Sequence, residues 1–276
     1  MATPANAFSK DQNEKVRTVR PPLKWAGGKR WQLPHLEPYW RAETHRRLVE
    51  PFCGGLAVVL GLAPKQALLN DINPHLINFY RQLKKGLISN LLQENKSTLF
   101  YSYRTEFNRL LEDGKRNTPR AAMLFYYLNR TGYNGLCRFN QSGGFNVPFG
   151  RYTNITYRSD FLEYRNVFSD WKFMNVPFEK LPLRSDDFVY ADPPYDVEFR
   201  QYSKDGFDWD QQEKTARWLA GHPGPVILSN QATPRIVKLY RDLGYGLKFL
   251  HGPRRISCTG DRTPAEEVLA IRNLPR

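Results

Sequence analysis

A chain of 276 residues with 41% hydrophobic and 14% aromatic side chains is long enough to bury a full core, as one large domain or one domain with an insertion. Lys and Arg number 41 against 27 Asp and Glu, a net charge of +14 that fits either a solvated basic surface or a polyanionic partner such as nucleic acid. Apolar runs such as Leu56 to Leu60 are far too short to span a bilayer, no apolar signal core opens the chain, and the three cysteines and scattered histidines lack metal spacing, so the expectation is a cytoplasmic protein with free thiols, no membrane and no metal.

In chain order, residues 1–20 are polar and aperiodic and are expected to form a flexible tail. Next comes Lys24-Trp25-Ala26-Gly27-Gly28-Lys29. Its glycines allow close approach to a ligand, and its lysines and indole offer charge and a flat face. On its own it is only a glycine turn with basic neighbours. A helix is expected over Trp31 to Trp40, with Pro34 in its first turn.

Arg47 to Glu50 reads as a short strand that runs into a tight loop, Pro51-Phe52-Cys53-Gly54-Gly55, and then a helix start over Leu56 to Leu62. Strand, glycine loop and helix together cradle nucleotide-like ligands, which makes Phe52 and Gly54 candidates for contact. Ala67 to Asn73 reads as a second strand whose acid, Asp71, lies 17 residues beyond Gly54, where ribose hydroxyls would be held. The sequence has no Gly-x-x-x-x-Gly-Lys-Ser/Thr loop, so a nucleoside without a polyphosphate fits better than ATP.

Residues 73–158 carry 13 Lys and Arg against 4 Asp and Glu, most of the excess charge of the chain. Their first half reads as two or three helices, Leu76 to Lys85 and Thr98 to Glu112 among them. From Asn129 to Tyr152, Asn-Gly and Gly-Gly turn signals sit among aromatic and basic residues, which suggests hairpins or loops presenting Asn134, Arg138, Arg151 and Tyr152. An arginine reads guanine bidentately, and an asparagine or aromatic ring fills the gap left by an extruded base. The same pattern also fits a basic hairpin with structural roles only.

Strand signals resume at Lys172 to Val176, then Phe188 to Ala191, Pro225 to Leu228, Tyr245 to Leu250 and Glu267 to Ile271, with a helix over Gln211 to Leu219. Strands alternating with helices imply an α/β sheet with helices on both faces. The expected sheet domain is therefore residues 21–72 and 159–276, and residues 73–158 are an insertion. At the exit of the Phe188 to Ala191 strand stands Asp192-Pro193-Pro194-Tyr195. Proline fixes φ and lacks an N–H, so this acid, two prolines and an aromatic ring make a rigid rim whose Asp192 and Pro193 carbonyls are left to accept from a ligand.

With these blocks laid out, the chain resembles the Dam family of DNA adenine-N6 methyltransferases, of the alpha group and D12 class. KWAGGK at Lys24 to Lys29 and PFCGG at Pro51 to Gly55 look like its methyl-donor motifs. DIN at Asp71 to Asn73 looks like its ribose-binding acid, and DPPY at Asp192 to Tyr195 like its catalytic motif. NGLCRFN and GGFNVPFGRY in the insertion and the Ile256 to Arg262 run also match. The resemblance implies a Rossmann-like methyltransferase fold and S-adenosylmethionine as co-substrate, with Trp25, Lys29, Asp71 and Asp192 at its site. It implies double-stranded DNA as partner and GATC as target, with Lys24, Asn134, Leu136, Arg138, Pro148 and Tyr152 on the DNA. A monomer is expected. Two positions depart from the family pattern. Leu56 stands where many relatives have a glycine, and Cys137 where an aromatic residue is common.

The implied chemistry requires adenine to be flipped out of the duplex. The Asp192 carboxylate and Pro193 carbonyl would accept the two N–H bonds of the exocyclic amine, and Tyr195 would stack on the base. Two other readings stay open on sequence. One is an RNA or protein-amide methyltransferase, since such rims hold any planar amine or amide. The other is a non-catalytic DNA-binding regulator on the same fold.

Overall fold

The computed structural model describes residues 19–196, 207–252 and 265–275. All but the last two residues of the expected tail, and the Ile256 to Arg262 run, lie outside the described residues. The strands are β1 (Leu48–Glu50), β2 (Ala67–Asn70), β3 (Trp171–Met174), β4 (Phe188–Ala191), β5 (Val226–Gln231), β6 (Gly246–Gly252) and β7 (Ala265–Arg272). They form one sheet in the order β3-β2-β1-β4-β5-β7-β6. Neighbours from β3 to β5 pair in parallel, and β7 runs antiparallel to both β5 and β6. This is the doubly wound, Rossmann-like sheet expected from the sequence.

Every residue of β1, β2 and β4 is buried, as parallel strands covered on both faces require. Side chains alternate between faces along each strand, which separates two apolar clusters. Leu48, Leu69 and Tyr190 belong to one, and Val49, Leu68 and Val189 to the other. The first cluster packs under α1 (Leu33–Ala42), α2 (Val59–Leu62), α3 (Pro74–Lys84), α4 (Ser97–Glu112), α5 (Pro119–Thr131) and α6 (Leu162–Val167). The second packs under α7 (Trp209–Ala220) and α8 (Pro234–Asp242). Among the described residues, no helix is long and apolar enough to cross a membrane.

The chain between β2 and β3 is rich in buried aromatic rings. Phe79, Phe100, Phe107, Phe125, Phe145 and Phe161 are all sealed from solvent and continuous with Leu48 and Leu69 of the sheet. Its helices start where local chemistry dictates. Asn73 caps α3 by accepting from the His75 and Leu76 amides, and Thr118 caps α5 by accepting from the Ala121 amide, each with proline next in the chain. From Asn129 to Tyr152 the expected hairpins reduce to single bridges, Gly132 with Phe149 and Phe139 with Phe145. The loop is instead held by side chains. Asn108 donates to the Phe145 carbonyl and accepts from its amide, and Arg104 donates to the Val147 carbonyl.

The strand order reverses between β1 and β4. In open α/β sheets a ligand crevice forms at such a switch point, beyond the carboxyl ends of the strands. The loop after β1 and the rim after β4 therefore face each other there. At Leu56 the loop after β1 turns through the left-handed region, with φ of 61°, while the side chain is completely buried. That backbone costs a non-glycine residue about 1–2 kcal/mol, whereas truncating a buried leucine costs about 2–5 kcal/mol. Burial wins, so the chain tolerates a leucine in this left-handed turn. Leu56→Gly is therefore expected to destabilise the protein by about 1–3 kcal/mol in urea unfolding, despite relieving the strain.

Candidate functional site

The site is assembled on the segment Lys24 to Lys29. At its amino end, Asn129 of α5 takes hold of the Lys24 backbone on both sides. Its Oδ1 accepts from the Lys24 amide at 2.9 Å, and its Nδ2 donates to the Lys24 carbonyl at 2.8 Å. The Lys24 ammonium donates to the Arg130 carbonyl at 2.9 Å and lies 3.5 Å above the centre of the Tyr152 ring. Burial, aided by the Arg130 charge, lowers its pKa to about 8. Gly135 passes so close that a Cβ there would fall 2.5 Å from that of Lys24.

In the middle of the segment, Trp25 lies against the loop after β1. A Cβ on Gly54 would come within 2.8 Å of the indole nitrogen, and one on Gly55 within 2.7 Å of the Trp25 Cβ. The paired glycines thus make room for the indole. The Gly54 amide donates to Asp71 Oδ2 at 3.1 Å, and the Asn73 amide donates to Asp71 Oδ1 at 2.9 Å. Burial raises the pKa of Asp71, and these two hydrogen bonds oppose the rise. Each carboxylate oxygen retains a lone pair for another donor. Phe52 rests on Phe178 and Phe207, with ring centres 5.5 Å away in both cases.

At its carboxyl end, buried Lys29 reaches the rim. Its ammonium is 3.9 Å from Asp192 Oδ1, 3.4 Å from Glu267 Oε1 and 4.1 Å above the centre of the Tyr195 ring. Asp192 Oδ1 is buried and, among the described residues, has no hydrogen-bond partner. Burial raises the Asp192 pKa to about 7. Lys29 pulls against this and Glu267 adds to it. Glu50, at the end of β1, is also buried, with one carboxylate oxygen unpartnered and its pKa raised by burial.

The rim itself is fixed from several sides. The Pro194 carbonyl accepts from Gln212 of α7 at 2.7 Å. The Tyr195 hydroxyl donates to Glu267 Oε2 at 2.6 Å and contacts Ser229 Oγ at 3.3 Å. Asp196 pairs with Arg235 at the start of α8. With φ fixed at Pro193 and Pro194, these anchors leave the backbone of the rim little freedom.

The structure brings Trp25, Lys29, Gly54, Asp71, Asp192 and Tyr195 into one connected group, with Phe52 and Pro193 in the same two loops. Lys24 and Tyr152 join it through Asn129 and Arg130. The other expected nucleic-acid residues share the loop from Gly132 to Tyr152. Asn134, Pro148 and Arg151 are exposed, and Leu136 is partly buried. Asn134 and Arg151 adopt left-handed backbone. The exposed Arg138 guanidinium folds onto Asn146, donating to Oδ1 at 2.8 Å and to the carbonyl at 3.2 Å. Cys137 Sγ accepts from Asn73 Nδ2 at 3.3 Å, which links this loop to the turn that carries Asp71.

Sequence reasoning missed Glu267, Gln32, Ser229 and Asn129. The signal for Glu267 was an acid directly before the apolar run Val268 to Ile271. The other three carry polar side chains within helical or strand segments, and nothing local marks them. Among the described residues, no group of three or more His, Cys, Asp and Glu is arranged to hold a metal ion.

The chain is similar to known proteins over most of its length. The model of the D12 class N6 adenine-specific DNA methyltransferases matches residues 25–252. The retron Ec67 DNA adenine methylase of Escherichia coli is 36% identical over 265 residues, covering 90% of this chain and 90% of that protein. Type II methyltransferase M1.LlaDCHI of Lactococcus lactis subsp. cremoris is 35% identical over 255 residues, covering 84% and 87%. The DNA adenine methylase of Escherichia coli strain K12 is 32% identical over 269 residues, covering 90% and 94%.

Proposed function

The chain belongs to the D12 class of N6 adenine-specific DNA methyltransferases, and from that premise we propose that it moves a methyl group from S-adenosylmethionine to the N6 amine of a flipped adenine, within GATC in double-stranded DNA. The observation that carries the reading is Asp192 Oδ1, a buried acceptor without a partner among the described residues, held at the switch point by a rim fixed on several sides.

The residues present fit the donor. The lone pairs left on Asp71 suit ribose hydroxyls, and the Trp25 indole offers an apolar face beside them. Among the described residues Lys29 alone stands between the carboxylates of Asp192 and Glu267, so this end of the site favours a cationic sulfonium. Bound there, the donor supplies an electrophilic methyl group. The Asp192 carboxylate and the Pro193 carbonyl accept the two N–H bonds of the adenine amine, which localises the nitrogen lone pair. That pair forms the new N–C bond as the S–C bond breaks, with its electrons left on sulfur. The nitrogen then gives up a proton, and Asp192 is the base within reach. Positioning and electrostatic stabilisation carry most of this chemistry. The Tyr195 ring, with Lys29 over one face, offers its other face to the base.

Residues 73–158 act in this reading as the target-recognition insertion. Their net positive charge supplies phosphate contacts, and the loop from Gly132 to Tyr152 reads the bases. Arg138 leaves Asn146 to grip a guanine, Asn134 and Leu136 enter the space vacated by the flipped base, and Pro148, Arg151 and Tyr152 line the duplex. Lys24 contacts the first guanine. A lysine whose pKa is lowered to about 8 regains its full charge beside phosphate.

The deciding experiment incubates unmethylated plasmid with enzyme and donor, then challenges it with endonucleases that cut GATC only when methylated or only when unmethylated. Wild type should confer resistance to the second and sensitivity to the first. Asp192→Ala should do neither while still binding DNA, and near-wild-type methylation by this variant would remove Asp192 from its role. Because the ionised carboxylate is the active form, kcat/KM should rise with pH and level off above about 7. With the cationic donor bound, the acid limb of kcat should lie at lower pH, because the sulfonium charge favours the carboxylate. Arg138→Ala should cost about 1–3 kcal/mol of discrimination between GATC and sites altered at one base pair. Unchanged preference among such sites would take Arg138 out of base reading.

A further inference from the structure

Glu267 lies on β7, on the far side of β5 from the rim strand β4, yet it is the hub of the polar network beneath Asp192. It is 8% exposed. Its Oε2 accepts from the Tyr195 hydroxyl at 2.6 Å and from Gln32 Nε2 at 2.8 Å. Gln32 is fixed in turn, since its Nε2 also donates to Ser229 Oγ at 3.0 Å and its Oε1 accepts from the Tyr190 hydroxyl at 2.9 Å. The other carboxylate oxygen, Oε1, takes the Lys29 ammonium at 3.4 Å.

One ammonium therefore serves two buried carboxylates, and it serves them unequally. At 3.4 Å it hydrogen-bonds Glu267, whereas 3.9 Å from Asp192 Oδ1 is beyond hydrogen-bond length and gives attraction only. A shift of about 1 Å would bring it into a charge-assisted bond with Asp192. That bond would fill the acceptor that the adenine amine needs.

We propose that Glu267 is a positioning residue for methyl transfer: it latches the Tyr195 ring through its hydroxyl, and it holds the Lys29 ammonium back so that Asp192 Oδ1 stays open to the substrate amine. This assignment rests on the function proposed above. It accounts for two facts together. A buried lysine lies beside the catalytic acid without hydrogen-bonding it, and the Tyr195 side chain is tied at its far end by the residue that restrains that lysine.

The groups that face Asp192 are Lys29 from the Lys24 to Lys29 segment, Glu267 from β7, Glu50 from β1, Tyr190 and Tyr195 from its own stretch of chain, and Tyr240 from α8. Removing the Glu267 charge deletes one nearby anion and frees Lys29 to approach. Both changes favour the ionised form of Asp192, so both move its titration to lower pH. A residue that only supported the fold would lower the rate and leave the titration in place.

The test uses the full-length protein as wild type, Glu267→Gln and Glu267→Asp, with donor binding by calorimetry as the check of folding. Single-turnover methylation of unmethylated plasmid DNA is then measured across the acid limb. Glu267→Gln should bind the donor, transfer roughly 10- to 100-fold more slowly at its plateau, and show an acid limb at lower pH than wild type. Glu267→Asp keeps the charge and should keep the wild-type limb with a smaller loss of rate. A Gln variant with wild-type rate, or a slow one with an unmoved limb, overturns the assignment. So does a moved limb in the Asp variant, which decides the matter if the Gln variant fails to fold. A wild type that methylates no DNA overturns the proposed function and this inference together. An active wild type beside an unmoved limb in the Gln variant overturns this inference alone.

Discussion

The segment Lys24 to Lys29 ties three parts of the molecule that are far apart in sequence. Asn129 fixes the Lys24 backbone to α5, Gly54 and Gly55 receive the Trp25 ring, and Lys29 lies between Asp192 and Glu267. Six consecutive residues thereby span α5, the loop after β1 and the rim after β4. In the proposed function this segment joins the donor site to the DNA-reading part of the chain.

The rim works because burial and rigidity act on the same atoms. Two prolines limit the backbone, and Gln212, Glu267 and Arg235 anchor successive residues from different elements. Burial then raises the pKa of Asp192 to about 7, so the carboxyl group is poised between acid and base near neutral pH. A fully paired aspartate would be a poor acceptor for a weakly basic amine. An isolated one would be protonated more readily still. One ammonium shared between two carboxylates lies between these extremes.

The insertion between β2 and β3 is a departure from a plain doubly wound fold, but it does not have its own separate core. Its buried phenylalanines run continuously into Leu48 and Leu69 of the sheet. The basic loop at Asn134 to Tyr152 is thus carried on a base as rigid as the sheet. Few regular hydrogen-bonded ladders hold the loop itself, and side-chain contacts from Arg104, Asn108 and Asn146 do that work instead. Such a loop can exchange internal contacts for contacts to bases without breaking a strand. In the proposed function, Arg138 on Asn146 and Lys24 on Tyr152 are the contacts to be exchanged.

The amino-acid order alone located the sheet strands, most plainly β1, β2 and β4, which are short, mostly apolar runs followed by Pro51, Asp71 and Asp192. It also located Asp71 at the end of the second strand and Asp192 at the rim, since both are acids immediately after such runs. The short helix α6 and the helix α8 went unread, although Thr233-Pro234 carries a clear capping signal for α8. What only the tertiary structure decided is which side chains meet. Glu267, Gln32 and Ser229 lie on separate elements, and burial around Tyr195 brings them together. Asn129 reads as one more residue of a buried helix until its amide is found on the Lys24 backbone. Local sequence reports the propensity of a segment and the type of its residues. The pairing of a buried charge is fixed by long-range packing, and in this chain that pairing leaves Asp192 with an open oxygen.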